Sequence, residues 1–388
     1  MIEGRDTLQI FAVAAPGLEE LLTRELHGLG LNATAIPGGA EWEGSLTDVH
    51  RANLHSRLAT RVLVRVAEFR ARTFFELERH AGKVPWDRFL NREQPLHLRV
   101  SCKKSKLYHE GAVAERLRRA AEQRVGPLAT AEVSTDEDEI GGTTQLVVVR
   151  FLHDRCTMSA DTSGEALYRR GYRQALARAP LRETLAAALL HASGWHESQS
   201  LLDPMCGSGT IPIEAALLAR NIAPGIANAQ LIPRAYAFQS WPDHDAVMWE
   251  GAVEQARSGI REVRTVAIQA SDRDAGAVQA ATANAQRAGV LDALTIQQSS
   301  LSSVSPPAEP GWLLTNPPYG LRVSERSELR NLYAAIGRLA RESLSDWNIG
   351  ILAADDRLAA QLGIRFREAF HTRNGGIPVR FLTGEVSA

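Results

Sequence analysis

The stretch Leu201-Leu202-Asp203-Pro204-Met205-Cys206-Gly207-Ser208-Gly209-Thr210, followed by the apolar run Ile211 to Leu218, constrains the fold more than any other part of the chain. It spells a short buried strand, a glycine loop and a helix. Gly207 and Gly209 let the backbone turn tightly and approach a ligand without a Cβ in the way, and Pro212 is tolerated because it falls in the first helical turn. A strand that hands over to a helix through such a loop is the nucleotide-binding corner of a doubly wound α/β sheet. The dinucleotide fingerprint wants a glycine where Pro212 stands, which counts against NAD and a nicotinamide dehydrogenase. Asp203 at the strand end suits a cofactor with a cationic amino-acid moiety, which S-adenosyl-L-methionine has and NAD lacks.

A second strand is expected over Val266 to Asp272, leading through Arg273 and Asp274 into an Ala-rich helix that ends near Gly289. An acid at the end of the second strand is where a ribose diol is held, so Asp272 is expected on the ribose and Asp274 at the helix N-cap. The usual gap between glycine loop and acid is about 20 residues. Residues 221 to 264 intervene here, so an insertion is expected.

The tetrapeptide Asn316-Pro317-Pro318-Tyr319 follows the apolar run Trp312 to Leu314 and precedes Gly320. It suits the handling of an exocyclic amine on a heterocyclic base, a poor nucleophile because its lone pair is delocalised into the ring. The Asn316 side-chain oxygen and the Pro317 carbonyl can each accept one N–H, turning the lone pair toward an electrophile. Proline's fixed φ and missing N–H hold that carbonyl still without adding a competing donor. Tyr319 offers a flat face for the base. Taken alone, the segment also reads as a Pro-rich turn after a buried strand.

With 388 residues and 44% hydrophobic content, the chain can support two or three cores. It contains no apolar run of membrane-spanning length and no signal-peptide pattern, so cytoplasmic residence is expected. The three cysteines, Cys102, Cys156 and Cys206, have no paired spacing, and neither a zinc cluster nor a disulfide frame is supported. Cys206 reads as a small packing residue in the loop. The net charge of -1 hides an asymmetry: Arg51 to Ala120 holds 17 Lys and Arg against 7 Asp and Glu, a balance of +10. That is a footprint for a polyanion, with Lys103, Lys104 and Lys106 as its most pointed group. A solvated charged face is the bland alternative. The acidic cluster Asp136 to Glu139 offsets it in an expected loop.

Strands are expected at Leu8 to Ala14, Leu96 to Val100, Thr144 to Leu152, Ile349 to Ala353 and Val379 to Leu382, and helices at Gly17 to Leu29, around Arg116 to Arg119, and at Leu181 to Leu190. A small α/β unit is expected over 1–65, a second unit over 66–160, and a Rossmann-like domain over 161–388. The basic segment 161–180, with Arg169, Arg170 and Arg173, reads as a hinge whose arginines face RNA.

The residues also carry a family resemblance over nearly the whole chain. DTSGEALYRRGYR at 161–173, PLRETLAAALL at 180–190, LLDPMCGSGTIPIEAALLARNIAPG at 201–225 and NPPYGLR at 316–322 are similar to bacterial THUMP-domain methyltransferases that modify guanine N2 in large-subunit (23S) rRNA. AAPGLEELLTREL at 14–26 and RANLHSRLATRVL at 51–63 resemble that family too. The resemblance implies a ferredoxin-like unit, a THUMP RNA-binding unit and a class I methyltransferase domain. It places Asp203 and Gly207 against S-adenosylmethionine within the loop Pro204, Cys206, Ser208, Gly209 and Thr210. It also puts Asp272 with Arg273 at the ribose and Asn316 to Tyr319 at the target amine.

One position departs from the family pattern: where relatives place an acid after the third strand for the adenine amino group, this chain has Gln297 to Leu301, and Ser300 is the expected substitute. The second methyltransferase module fused onto some relatives is absent from the sequence, so one modification is expected. The amine motif itself does not separate guanine from adenine. An adenine-N6 DNA methyltransferase and a non-catalytic RNA-binding assembly protein are the rival readings.

Overall fold

Leu8, Ile10 and Ala12 alternate with less buried neighbours, which seats β1 (Leu8–Val13) with one face on a core. The computed structural model describes residues 7–92, 94–129, 144–174, 181–262, 267–319 and 326–386. After β1 come α1 (Glu19–Gly28), β2 (Thr34–Ile36), β3 (Gly39–Gly44), α2 (Leu46–His55) and β4 (Arg61–Arg70). They are followed by α3 (Phe74–Ala81), β5 (Leu96–Lys103), α4 (Glu110–Val125), β6 (Gln145–Leu152) and β7 (Arg155–Asp161). These strands form one seven-stranded sheet in the order β2-β3-β1-β4-β7-β6-β5, antiparallel except for the parallel pair β5 and β6.

The expected boundary at residue 65 falls inside β4. This ten-residue strand, free of Gly and Pro, pairs with β1 through its first half and with β7 along most of its length. The two N-terminal units therefore share a sheet. The acidic cluster Asp136 to Glu139 lies outside the described residues.

The second half opens with α5 (Glu183–Ser193), β8 (Ser200–Asp203) and α6 (Thr210–Ala219). It continues with α7 (Ala246–Ser258), β9 (Ile268–Asp272), α8 (Ala275–Ala288), β10 (Leu294–Gln298) and β11 (Gly311–Thr315). It ends with α9 (Arg326–Ser343), β12 (Asn348–Ala353), α10 (Asp356–Ala359), β13 (Arg367–Asn374) and β14 (Ile377–Glu385). The sheet order is β10-β9-β8-β11-β12-β14-β13, with β10 through β12 parallel and the β13–β14 hairpin antiparallel on one edge. This is a Rossmann-like doubly wound sheet. From β8 the chain winds outward through β9 and β10, then returns to β11 on the other flank. The strand order thus reverses between β8 and β11, and a crevice opens at their carboxyl ends.

The insertion before β9 fastens the two halves. Thr47 on α2 contacts the Met248 sulfur on α7 at 3.1 Å, and the His50 ring packs at 4.6 Å from Phe238 and 5.4 Å from Trp249. The Tyr236 hydroxyl donates to the Asn53 carbonyl at 3.1 Å, and Trp241 Nε1 donates to Gln145 Oε1 at 2.9 Å.

The segment read as a hinge is, over its described part, a buried strap. Asp161, Thr162 and Ser163 are fully buried. Asp161 pairs with Arg61 at 2.7 Å, and Ser163 Oγ donates to Asn53 Oδ1 at 2.7 Å. Arg170 and Arg173 also turn inward, which corrects their assignment to RNA. Arg170 pairs with the fully buried Glu214 on α6 at 3.5 Å and donates to the Arg57 carbonyl at 2.7 Å. Arg173 pairs with Glu183 on α5 at 3.2 Å. Arg169 stays partly exposed beside Glu165 at 3.5 Å. Residues 175–180 of the expected hinge lie outside the described residues.

A buried guanidinium needs its counter-charge far more than an exposed one does, because solvent cannot replace it. Tyr172 reinforces the arrangement by donating to Glu214 Oε1 at 3.0 Å. Glu214→Ala should therefore destabilise the protein by about 3–5 kcal/mol in urea denaturation. A loss below about 1 kcal/mol, the scale of an exposed pair, would contradict a buried network.

Candidate active site

Three strand ends of the second sheet bring the sequence candidates together. β8 ends at Asp203, β9 at Asp272, and β11 at Thr315 directly before Asn316. Asp203 is 2% exposed, and its Oδ1 accepts from Thr315 Oγ1 at 2.8 Å and from the Met205 amide at 3.2 Å. The first of these bonds crosses the switch point from β8 to β11. Among the described residues no ion pair involves Asp203.

The glycine loop is anchored on both sides of its exposed face. Gly207 donates its amide to Asp272 Oδ2 at 3.0 Å, Cys206 donates to the Ser271 carbonyl at 2.9 Å, and Asn284 Nδ2 on α8 donates to the Ser208 carbonyl at 3.0 Å. The two glycines differ in function. At Gly207, with φ +53°, an added Cβ would meet nothing within 4 Å, which leaves the backbone open to a ligand. At Gly209, with φ +83°, a Cβ would meet Ala281 at 3.0 Å, so this glycine serves the close packing of α6 on α8. Pro204, Ser208 and Thr210 are buried or nearly so. The Cys206 side chain packs with Ala270 and Ala281, and burial pushes its thiol well above the ordinary range, leaving it inert.

Asp274 takes the N-cap expected of it, and Asp272 lies beside it at the strand end. Asp274 accepts from Gly276 N at 2.7 Å and caps α8, whereas Asp272 Oδ1 accepts from Asp274 N at 3.0 Å and its other oxygen holds the glycine loop. The Arg273 side chain is exposed, and its carbonyl accepts from Gln298 Nε2 at 3.1 Å. Ser300 is exposed in a turn where its Oγ lies 3.0 Å from Ser302 Oγ and 2.8 Å from Ser303 Oγ. The neighbouring Ser299 amide donates to the Asp272 carbonyl at 3.0 Å, which fixes that serine turn beside the acid. The hydroxyls of Ser302 and Ser303 around Ser300 were not singled out in the sequence.

At the amine motif, Pro317 is buried and Pro318 exposed. Asn316 Oδ1 accepts from the Tyr319 hydroxyl, which in turn accepts from Asn374 Nδ2 at 3.1 Å. Burial pushes the Tyr319 phenol up to about 12. Asn374, at the end of β13, escaped the sequence reading because an Asn before Gly375 and Gly376 reads as a hairpin turn and nothing more. Gly320 to Arg322 of the motif lie outside the described residues. Lys103, Lys104 and Lys106 lie apart from this crevice, exposed at the end of β5 and in the turn after it. Tyr108 (78% exposed) is two residues beyond Lys106.

A sulfonium cofactor with an ammonium group fits these residues, because the crevice offers a buried carboxylate with no ion pair among the described residues, an open glycine backbone and a second acid one strand over. Among the described residues no helix is long and apolar enough to cross a membrane.

Comparison with known proteins agrees with this geometry. The family model for an RMKL-like methyltransferase domain matches residues 170–382, and the RlmL ferredoxin-like domain matches residues 9–63. A putative RNA methyltransferase of Synechocystis sp. is 34% identical over 384 residues, covering 98% of this chain and 97% of that protein. The ribosomal RNA large subunit methyltransferase K/L of Syntrophotalea carbinolica is 36% identical over 393 residues, covering 98% of this chain and 54% of that protein. The chain spans about half the length of the K/L relatives it matches. The solved structure of SMU.472, a putative methyltransferase complexed with SAH, superposes with a TM-score of 0.86 at 27% identity, covering 99% of this chain and 100% of that one.

The burial that suits Asp203 to a cationic ligand is a cost in the free protein. Its carboxyl is pushed up to about 7 by burial, the nearby Asp272 charge adding to the rise while the Thr315 and Met205 bonds oppose it. A raised folded-state value means that this group's stability contribution is complete below the unfolded value of about 4 and is lost as pH climbs toward 7. Asp203→Asn, which keeps an Oδ1 acceptor, should therefore stabilise the ligand-free protein by on the order of 4 kcal/mol at pH 8 and by little at pH 4. Urea denaturation at both pH values reads this directly, and an equal shift at both would contradict it.

Proposed function

This chain belongs to the RMKL-like family of S-adenosylmethionine-dependent methyltransferases, and from that premise we propose that it methylates the exocyclic N2 amine of a guanosine in large-subunit (23S) rRNA. The observation that carries the reading is the convergence of Asp203, Gly207, Asp272 and Asn316 at the carboxyl ends of β8, β9 and β11, where the strand order reverses. Support for RNA comes from the relatives named as RNA methyltransferases, from the basic balance of residues 51–120, and from the exposed Lys103, Lys104 and Lys106. A THUMP unit over the middle of the chain and a cytoplasmic location accord with that substrate.

When bound, the cofactor supplies an activated methyl group on a sulfonium. Asp203 would hold its ammonium group, the Gly207 backbone would lie along it, and Asp272 would take the ribose hydroxyls. Ser300 and the serines around it are the polar groups nearest the expected adenine end. At the other side of the crevice, Asn316 Oδ1 and the Pro317 carbonyl accept the two N–H bonds of the target amine. That pairing turns the lone pair out of the ring plane, and Tyr319 supports the base, drawn from a loop or extruded from a helix. Alignment does most of the work, and the proton leaves after transfer.

Labelled S-adenosylmethionine with unmodified 23S rRNA, followed by nucleoside analysis, should yield N2-methylguanosine. N6-methyladenine from duplex DNA would overturn the reading, and so would cofactor-competent protein that labels no RNA. Asn316→Ala should lower kcat by about 10²–10³-fold, the range for one preorganised hydrogen-bonding group, with cofactor affinity unchanged. Parallel loss of cofactor binding would remove Asn316 from the amine. Reversing the charges of Lys103, Lys104 and Lys106 should weaken RNA binding and flatten its salt dependence by about 0.7–0.9 in log–log slope per lost phosphate contact. An unaltered slope would place the RNA elsewhere.

A further inference from the structure

An asparagine amide can present either its oxygen or its NH2 to a ligand, and the two ends are nearly the same in shape but opposite in hydrogen bonding. Asn316 can serve a target amine only with its oxygen forward. The polarity of its neighbours decides which end that is. Asn374 Nδ2 donates to the Tyr319 hydroxyl at 3.1 Å, which commits the phenol oxygen as an acceptor on that side. The phenol has one proton, directed at Asn316. Only a carbonyl oxygen can accept it, so the chain of bonds runs one way, from Asn374 NH2 to Tyr319 OH to Asn316 C=O. A carbonyl oxygen has two lone pairs, and the second remains for the target amine.

The fold secures the source of this relay. Asn374 is 7% exposed and closes the register of the β13–β14 hairpin opposite Ile377. Gly375 and Gly376 turn the chain at φ +55° and +83°, and Arg373 Nη1 donates to the Gly376 carbonyl at 2.9 Å. β13 runs in the same direction as β11 and β12, so its carboxyl end reaches the same edge of the sheet as Asn316. The raised Tyr319 phenol stays protonated and able to donate throughout the working pH range.

We propose that Asn374 is a positioning residue of the methyl-transfer site, holding the Asn316 amide with its oxygen toward the target amine by way of the Tyr319 hydroxyl. The inference rests on the proposed function for its kinetic consequences and on the geometry alone for its structural ones.

The test is a double-mutant cycle with a polarity reversal. Asn374→Ala and Tyr319→Phe should each lower kcat by about tenfold, the rate equivalent of one neutral hydrogen bond, with RNA KM and cofactor Kd unchanged. The double variant should be no slower than Tyr319→Phe alone, because the two groups act through one path. Independent, multiplying losses would overturn the proposal. Asn374→Asp, the same shape without a donor, should be slower than Asn374→Ala, since a carboxylate accepts the phenol proton and turns it away from Asn316. An Asp variant faster than the Ala variant would also overturn it. If the wild type transfers no methyl group to any RNA, the proposed function fails while the relay is still read in the ligand-free protein by side-chain amide NMR of 15N-asparagine-labelled chain. The Asn316 Nδ2 signal should move in Asn374→Ala, and the Asn374 Nδ2 signal in Tyr319→Phe. Signals that stay in place would refute the relay without reference to any substrate.

Discussion

The bond from Thr315 Oγ1 to Asp203 Oδ1, at 2.8 Å, is the contact on which the architecture of the crevice depends. In an open α/β sheet the strands on either side of the switch point diverge at their carboxyl ends, because each hands over to a helix on a different face. That divergence makes room for a ligand and also leaves the two strand ends without lateral support. Here the support is polar: a hydroxyl at the end of β11 meets a carboxylate at the end of β8, in a fully buried setting where the bond is worth more than in water. Asp203 and Asn316, which follows Thr315 directly, are thereby fixed relative to each other.

The same contact explains why the site tolerates an unfavourable charge. Burial raises the proton affinity of this carboxyl, and its two hydrogen bonds offset that only in part, with no ion pair to it among the described residues. Ligand ammonium would restore the balance, so the cost borne by the free protein returns as affinity in the complex. Gly207 works to the same end by leaving space where any other residue would place a Cβ.

The parts of this plan that were legible in the sequence are those encoded locally. Strand, glycine loop and helix at 201–218 are read from composition and order, and so is the N-cap at Asp274, because each depends on residues a few positions away. Arg170 and Arg173 were misread because a run of arginines looks alike whether it faces water or a buried acid, and the acids here, Glu214 and Glu183, belong to helices further along the chain. β4 carried no break to show that one strand serves two units. Asn374 was illegible for a stricter reason: its role exists only once the β13–β14 hairpin has been added to the sheet edge, and no local pattern encodes that.

Burying the strap has a consequence for how an RNA would be held. Arg57 and Arg170 are consumed in joining the N-terminal sheet to the methyltransferase domain, Arg61 is paired with Asp161 within that sheet and Arg173 with Glu183 on α5, and the insertion adds Tyr236, Trp241 and Trp249 to the junction. Cations spent in this way are unavailable to phosphates. Under the proposed reading, phosphate contact then falls to surfaces such as the turn after β5, on a sheet clamped to the catalytic domain. Phosphate contacts position a nucleic acid without reading its sequence. A fixed span between such a grip and Asn316 would select a nucleotide by its place in the folded RNA, and the crevice would need only to accept an amine on a flat base. On that reading, a motif that does not distinguish guanine from adenine could still serve one site: position would be supplied by the clamp between domains, and chemistry by the polarity of Asn374, Tyr319 and Asn316.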